Sequence, residues 1–208
     1  MEWPAPHLRE ELLRRTGVDV GGEAAERAVA AEISYYLEHQ LEGSDPEALE
    51  DLRDRCAVAV QEALGVDGLD HATAREAMLA ALRFDAYPDA PGTLRALRER
   101  GLRLVVASNW DCSLPSVLEQ AGLAPLLDAV VTSATVGVTK PDPRLFAVAL
   151  DAAGSDASEA VHVGDSLEND VAGARDAGIR PVLLDRNGAA VPDGVTAIAS
   201  LDQLPGLI

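Results

Sequence analysis

The spacing of hydrophobic residues divides the chain into a helical first part and an alternating second part. Up to about Phe84, apolar residues recur every three or four positions, which is the spacing of one buried helix face. Asp-Pro or Asp before such a run opens a helix, and a glycine after the run ends it. We therefore predict a small bundle over residues 1–85, with four helices at about 5–16, 23–41, 46–64 and 71–82.

From Tyr87 onward, short apolar runs rich in valine alternate with helical segments that end at glycine. Such runs are typical of buried strands, and strands separated by helical crossovers are typical of a parallel sheet covered on both faces. We therefore predict an α/β fold over residues 86–208. The predicted strands are 102–107, 129–132, 160–163, 181–184 and 195–198.

Composition narrows the kind of partner that the protein has. The chain has 17 Lys and Arg against 35 Asp and Glu, a formal net charge of −18, and no basic patch. Because this charge repels polyanions, we expect no nucleic-acid partner. We expect no membrane partner either, since there is no long apolar run and no signal-like start. Cys56 and Cys112 match no zinc or CxxC spacing, which favours a reducing compartment, and we expect the cytoplasm.

Polar residues follow three of the predicted strands. Ser108 and Asn109 follow the first strand, Lys140 comes after the loop behind the second, and Asp165 and Asp170 follow the third. Because parallel strands bind ligands at their carboxyl ends, these side chains are expected to converge on one crevice. They offer a hydroxyl and an amide to a phosphate, a lysine cation, and two carboxylates suited to Mg²⁺. This combination can hold a phosphoryl group and offset its charge in the transition state.

Each of these residues also has an ordinary structural interpretation. Ser-Asn after a strand usually forms a turn, a single loop lysine is usually solvated, and Gly-Asp often caps the following helix. His162, inside a predicted strand, is more often a core histidine than a ligand. Their order at successive strand ends makes the combination specific.

Three segments resemble the second, third and fourth motifs of the haloacid dehalogenase (HAD) superfamily. They are SNWD (108–111), VGVTKPDPRLF (136–146) and HVGDSLENDVAGARDAGI (162–179). The resemblance covers the whole chain: residues 1–85 resemble an α-helical C1-type cap, and residues 86–208 resemble the family's Rossmann-like core. The residues of these motifs are similar to those of the phosphatase-like branch of the superfamily.

The resemblance implies a role for each candidate residue. Ser108 would hydrogen-bond the transferring phosphoryl oxygen with Asn109 beside it, and Lys140 would pair with the phosphoryl group and the nucleophile. Asp165 would bind Mg²⁺, and Asp170 would support the ion directly or through water. The resemblance therefore implies a Mg²⁺-dependent phosphatase of a small phosphorylated metabolite, rather than a dehalogenase, which needs no metal at this position.

The family's first motif is absent from these residues. It is a hydrophobic strand ending in Asp-x-Asp-x-Thr, whose first Asp is the nucleophile and whose second is the acid and base. The segment 1–6 resembles the stretch just after it, so we expect the sequence to begin too late. Asp85 and Asp89 lie in a string that echoes the motif, but they follow a helical run rather than a strand, and we reject both as nucleophiles.

In the family, the nucleophile strand lies between the strands that end here at Val163 and Ala107. Without it, these two strands either pair directly or leave backbone groups unpaired, which is costly when they are buried. Three explanations remain open: a misassigned or truncated start, a pseudoenzyme that binds a ligand or partner, and a strand supplied by another chain. We favour the first, an enzyme that is inactive as this chain alone. The alternative is a catalytically silent HAD-like binding or interaction protein.

Overall fold

Helices make up the first of two units, and the boundary between the units lies between Asp85 and Ala86. The computed structural model describes residues 3–208. The helices of the first unit agree with the predicted ones to within a few residues at their ends. They are α1 (Pro4–Thr16), α2 (Gly22–His39), α3 (Pro46–Leu64) and α4 (His71–Ala81), with a 3-10 turn at Gln40–Glu42.

The ends of these helices are set by the residues that the sequence singled out. The Asp45 carboxylate accepts hydrogen bonds from the backbone N–H groups of Glu47 and Ala48, both at 3.0 Å, at the start of α3. Asp70 accepts from the Thr73 N–H at 3.0 Å at the start of α4. Such caps satisfy backbone donors that the first helical turn leaves free. Gly65 ends α3 in the left-handed conformation, with a φ of 61°.

One buried charged residue in the described part of the helical unit is not explained by the hydrophobic pattern. Glu32, on α2, is only 7% exposed. It lines a small cavity whose other walls are apolar, formed by Pro4, Leu8, Val29, Val60, Met78, Ala81 and Leu82. Burial without a compensating charge raises the pKa of Glu32 to about 7.

The second unit has the alternating order that the sequence predicts, and its fold class is α/β. Its helices and strands are α5 (Ala90–Glu99), β1 (Val105–Ser108), α6 (Leu114–Gln120), β2 (Ala129–Thr132), α7 (Ser133–Val136), α8 (Pro143–Ala153), β3 (Val161–Gly164), α9 (Gly173–Asp176), β4 (Arg180–Leu184) and β5 (Ala197–Ile198). A π-helical turn, Leu167–Ala172, leads into α9. Short 3-10 turns lie at Ala124–Leu126, Ala157–Glu159 and Leu201–Gly206.

All strand pairs in the described residues are parallel, as predicted. β1 pairs with β2, and β3, β4 and β5 form a second sheet in that order. Two strands are shorter than expected. β1 starts only at Val105, because the Leu104 N–H donates to the Asp128 carboxylate at 2.7 Å rather than to a neighbouring strand. β5 is limited to two residues, since the turn at Gly194 precedes it.

The parallel strands form two separate sheets, because β1 and β3 do not pair with each other. Within residues 3–208, β1 pairs only with β2 and β3 pairs only with β4, so each has one edge without a partner strand. Every residue of β1 and of β3 is only half-buried, although both strands are largely apolar. Inner strands of a covered parallel sheet are normally buried on both faces. Of the two outcomes expected for a missing strand, the structure therefore shows the open gap and not a direct pairing.

The helices in the described part of the chain include none long and apolar enough to cross a membrane.

The buried carboxyl group predicts how the stability of the helical unit depends on pH. Because the pKa of Glu32 rises from 4.5 to about 7 on folding, the folded unit bears no penalty below about pH 4.5. The penalty grows between about pH 4.5 and pH 7, and it levels off at about 3 kcal/mol above that pH, where the buried group is ionised. Replacing Glu32 with Gln should remove it, so the variant should gain stability over wild type as the pH rises from 5 to 8.

Urea unfolding followed by circular dichroism at several pH values measures this difference. Glu10→Gln, at an exposed position in the middle of α1, is the control and should follow the wild type at every pH. If Glu32→Gln differs from wild type by the same amount at pH 5 and pH 8, the carboxyl is not protonated in the folded unit.

Candidate active site

Two hydrogen bonds join the end of β1 to the loop that carries Lys140. The Lys140 N–H donates to Asn109 Oδ1 at 2.6 Å, and Asn109 Nδ2 donates to the Lys140 carbonyl at 3.1 Å. Asn109 directly follows the last residue of β1. The Asn109 side-chain amide therefore donates one hydrogen bond to the Lys140 backbone and accepts another from it, and so holds this loop against the end of β1.

The Lys140 side chain forms an ion pair with Asp170. Lys140 Nζ lies 2.6 Å from Asp170 Oδ1, and the two side chains are 12% and 5% exposed. His162 Nε2 lies 2.8 Å from the same oxygen, and the Ser166 N–H donates to Oδ2 at 2.9 Å. Since a carboxylate can only accept hydrogen bonds, the His162 ring must donate from Nε2. The lysine loop, β3 and the turn after β3 thus meet at one carboxylate.

These contacts decide the charge of Asp170. Burial tends to raise the pKa of Asp170, but the His162 hydrogen bond and the positive charge of Lys140 outweigh burial. Together with the Ser166 N–H, they hold the pKa of this carboxyl well below its usual range, so Asp170 is ionised at neutral pH.

The turn around Asp170 depends on a glycine. A Cβ atom built on Gly164 would lie 2.1 Å from the Asp170 carboxyl carbon, so a side chain here would occupy the place of that carboxyl group. Asp170 itself lies in the π-helical turn, whose start is capped by the Ser166 hydroxyl, 3.0 Å from the Asn169 N–H. Single π-turns within helices are frequent at functional sites.

The other two candidate residues are less engaged. Ser108 is the last residue of β1 and is half-buried. Asp165 follows β3 and is exposed, and its carboxylate has no protein partner within residues 3–208. The structure therefore brings Asn109, Lys140 and Asp170 into direct contact and leaves Ser108 and Asp165 at the two strand ends.

Lys140 is the only lysine in the chain, since all other members of the 17 Lys and Arg residues are arginines. Arginine is planar and forks its hydrogen bonds, whereas lysine is a compact point charge on a flexible stem. Lys140 is therefore the one side-chain ammonium of the chain, and it lies in the ion pair with Asp170.

The rejected candidate Asp89 has a structural task. Its carboxylate accepts hydrogen bonds from Arg186 at 2.8 and 3.0 Å, from the Ser200 hydroxyl at 2.7 Å and from the Leu201 N–H at 2.8 Å. The Arg186 guanidinium also lies 4.0 Å from the centre of the Tyr87 ring. The hydrogen bonds from Arg186, then those from Ser200 and Leu201, hold the pKa of Asp89 well below its usual range. Asp89 thus ties the start of α5 to the loops around β5.

The carboxylates of Asp165 and Asp170 suit a divalent ion that takes most of its ligands from water and phosphate oxygens. No group of three or more His, Cys, Asp or Glu residues capable of holding a metal occurs in the described part of the chain. Mg²⁺, however, usually takes one or two protein carboxylates and completes its shell with water and phosphate oxygens. Asp165 offers a free carboxylate, and Asp170 Oδ2 accepts only one hydrogen bond and retains acceptor capacity. The residues therefore fit Mg²⁺ as a partial site.

Sequence reasoning missed one residue of this site. The sequence favours a core histidine at His162, but its ring shares Asp170 Oδ1 with Lys140. The signal that could have found it is its place on β3, two residues before Gly164, where a side chain can reach the turn that follows.

Parallel strands connected by helices, with a lysine and acidic groups at their carboxyl ends, define an α/β protein with a candidate ligand site at the edge of its sheet. The family model of haloacid dehalogenase-like hydrolases matches residues 9–178. The chain belongs to this family, which confirms the predicted membership.

Proteins similar to this chain include several phosphatases. Haloacid dehalogenase-like hydrolase domain-containing protein 3 of Bos taurus is 44% identical over 95 residues, which are 46% of this chain and 38% of that protein. Phosphoserine phosphatase of Thermus thermophilus is 46% identical over 105 residues, 50% of this chain and 42% of that protein. The matched region thus spans less than half the length of these two curated relatives.

Among solved structures, a HAD phosphatase from Thermococcus onnurineus matches 98% of this chain and 87% of its own, with a TM-score of 0.65 and 26% identity. A 2-haloacid dehalogenase from Pseudomonas syringae matches with a TM-score of 0.66 and 26% identity, covering 98% of this chain and 88% of its own. The similarity confirms the predicted α/β fold class.

The close approach of Asp170 to Gly164 predicts the effect of adding one methyl group. Gly164→Ala should displace the carboxylate and lower the free energy of unfolding by about 1–3 kcal/mol, the usual cost of overpacking a filled site. Gly92→Ala is the matched control, because a Cβ there meets nothing within 4 Å, and it should leave stability unchanged or slightly higher. Urea unfolding of both variants measures the difference, and equal stabilities would show that the carboxylate does not fill this space.

Proposed function

We propose that this protein is a Mg²⁺-dependent phosphatase of a small phosphorylated metabolite, and that its nucleophile strand lies outside these 208 residues. The observation that carries the proposal is the ion pair of Lys140 with Asp170, held beside Asn109 at the carboxyl ends of β1 and β3. A family hydrolase with phosphatase relatives and a shielded lysine cation at this edge is suited to bind a phosphoryl group.

The residues of the two strand ends take separate tasks in this proposal. The Ser108 hydroxyl donates to a phosphoryl oxygen, and the Asn109 amide keeps the lysine loop against β1. Lys140 neutralises part of the negative charge of the phosphoryl group and of the attacking carboxylate. All three act by position and charge, which is the main contribution of the protein in phosphoryl transfer.

Asp165 would bind Mg²⁺ directly, since its carboxylate is exposed and unengaged within the described residues. Asp170 would support the ion through a water molecule on Oδ2, because Lys140 and His162 already fill Oδ1. The ion, when bound, would offset charge on the phosphoryl oxygens.

A strand between β1 and β3 would complete the site. Both strands have an unpaired edge within residues 3–208, and residues at both carboxyl ends contact Lys140 or its ion-pair partner. A parallel strand in this gap would bring its own carboxyl end to the same edge of the sheet. An aspartate at that end is the nucleophile that the proposal requires.

The helical unit is proposed to be the C1-type cap that contributes to substrate choice. The names of the similar proteins, phosphoserine phosphatase, ribulose-1,5-bisphosphate 5-phosphatase and phosphoglycolate phosphatase, all refer to small phosphorylated metabolites. This range supports the substrate class and not one substrate. The strong negative charge favours neither nucleic acid nor an anionic membrane surface as a partner. We also propose a cytoplasmic location.

The alternative is a catalytically silent HAD-like protein that binds a ligand or another protein. One observation favours this alternative. The Asp89 carboxylate is hydrogen-bonded to Arg186 and Ser200, and Asp85 follows a helix, so neither aspartate provides a nucleophile at the sheet edge.

Turnover of p-nitrophenyl phosphate with Mg²⁺ separates the two candidate functions. The chain alone should show no turnover. A synthetic peptide of about five apolar residues followed by Asp-x-Asp-x-Thr, added in excess, should restore measurable turnover by completing the sheet. The same peptide with Asn in place of the first Asp should bind without restoring it. Turnover by the chain alone would contradict the proposal, and binding of both peptides without turnover would favour the silent protein.

The metal assignment predicts an unequal effect of two carboxylate substitutions. Asp165→Asn should weaken Mg²⁺ binding, measured by calorimetry in the presence of inorganic phosphate, by at least about tenfold. Glu168→Gln removes an exposed carboxylate from the neighbouring turn and should leave the affinity within error. Equal affinities in the wild type and Asp165→Asn would assign the ion to other ligands.

A further inference from the structure

We propose that His162 is a positioning residue of the phosphoryl site, which fixes Lys140 by holding the carboxylate that pairs with it. The inference rests on the proposed function in so far as Lys140 is the phosphate-binding cation. It adds a residue that neither the motif resemblance nor the family match assigns to the site.

The geometry of one oxygen atom is the starting point. Asp170 Oδ1 accepts from Lys140 Nζ at 2.6 Å and from His162 Nε2 at 2.8 Å. The second oxygen accepts from the Ser166 N–H at 2.9 Å. With donors on both oxygens, the carboxyl group cannot rotate without breaking a hydrogen bond. If His162 is removed, the flexible lysine is the remaining described donor to Oδ1. The carboxyl group can then turn about the Ser166 hydrogen bond, and the ammonium can move with it.

The His162 ring is itself held in place from behind. The ring of Phe146, on α8, meets the His162 ring edge-on, with centroids 5.1 Å apart and planes at 81°. Phe146 is 1% exposed, so it has no room to move away. A Cβ atom on Gly173 would lie 2.8 Å from the Phe146 ring, which shows how closely α9 packs on that ring.

These contacts form a closed circuit that returns to the lysine. A Cβ on Gly173 would also lie 3.0 Å from the Cα of Pro141, the residue after Lys140. The circuit therefore passes from the lysine loop through Gly173 and Phe146 to His162, and from there through Asp170 back to the Lys140 ammonium. Each contact restricts the next, so the ammonium is ordered before any ligand arrives.

Ordering matters more for lysine than for the other cations in the chain. The lysine side chain has a flexible four-carbon stem, and immobilising it on ligand binding costs conformational entropy. A lysine that is already immobilised incurs that cost on folding, and binding a phosphate then loses less affinity. The exposed fractions of His162 and Lys140, 14% and 12%, also place the circuit where water screens the charges weakly.

A core histidine that merely fills space would predict something different. Leucine could then replace it with a loss of stability but no effect on the ammonium. In the positioning role, the N–H donor is what counts, and glutamine can supply a donor of similar reach whereas leucine cannot.

The single lysine makes a direct test possible. In the 208-residue chain with isotope-labelled lysine, the only side-chain ammonium signal in the nuclear magnetic resonance spectrum is that of Lys140. This signal should be sharp in the wild type and in His162→Gln, and broadened or lost through solvent exchange in His162→Leu. His71→Leu, an exposed histidine of the helical unit, is the control and should leave the signal unchanged.

Binding of inorganic phosphate in the presence of Mg²⁺, measured by calorimetry, is the second readout. His162→Leu should weaken binding about tenfold, the value of one hydrogen bond to a charged group, and His162→Gln should restore most of it. A sharp ammonium signal in a folded His162→Leu variant would overturn the inference, as would loss of the signal in both variants. If the wild type binds no phosphate while the ammonium signal responds as expected, the proposed function fails and the positioning of Lys140 by His162 stands.

Discussion

The ion pair between Lys140 and Asp170 is the interaction on which the arrangement of the site depends. It connects the loop before α8 with the turn after β3, and Asn109 extends the connection to β1. Both charged groups are largely shielded from water, and each offsets the charge of the other. Removing one partner would leave an uncompensated charge in a place that water reaches poorly. The hydrogen bonds from His162 and Ser166 to the same carboxylate show that the surrounding elements are built around this charge.

Basic residues are divided between two tasks in this chain. Arginines make the structural ties: Arg186 holds Asp89 by a fork of two hydrogen bonds, and Arg100 reaches the backbone carbonyls of Pro205 and Ile208 near the end of the chain. The one lysine is reserved for the edge of the sheet. A guanidinium can satisfy several fixed acceptors at once, whereas an ammonium can share its charge between a permanent partner and a visiting anion.

Much of the fold follows from local signals in the sequence. Asp45 and Asp70 mark helix starts because their side chains satisfy free backbone donors, and this chemistry is independent of the rest of the protein. The alternation after Tyr87 likewise predicts parallel strands, and the strand-edge rule brings Asn109, Lys140 and Asp170 together. The role of His162 could not be predicted, because periodicity places a residue on a strand and does not tell which acceptor its ring reaches. The burial of Glu32 was also unpredictable, since a glutamate at helical spacing usually lies on the solvated face.

The edges of β1 and β3 that are unpaired within residues 3–208 have a consequence for the 208-residue chain in concentrated solution. An exposed strand edge is a template on which another copy can add, and this is a common origin of aggregation. The chain has a net charge of −18, and copies with this charge repel one another. Salt screens that repulsion over distances beyond about 10 Å at moderate ionic strength. The negative charge of the chain therefore opposes association at the unpaired strand edges. Because salt screens the charge, this protection weakens as salt is added.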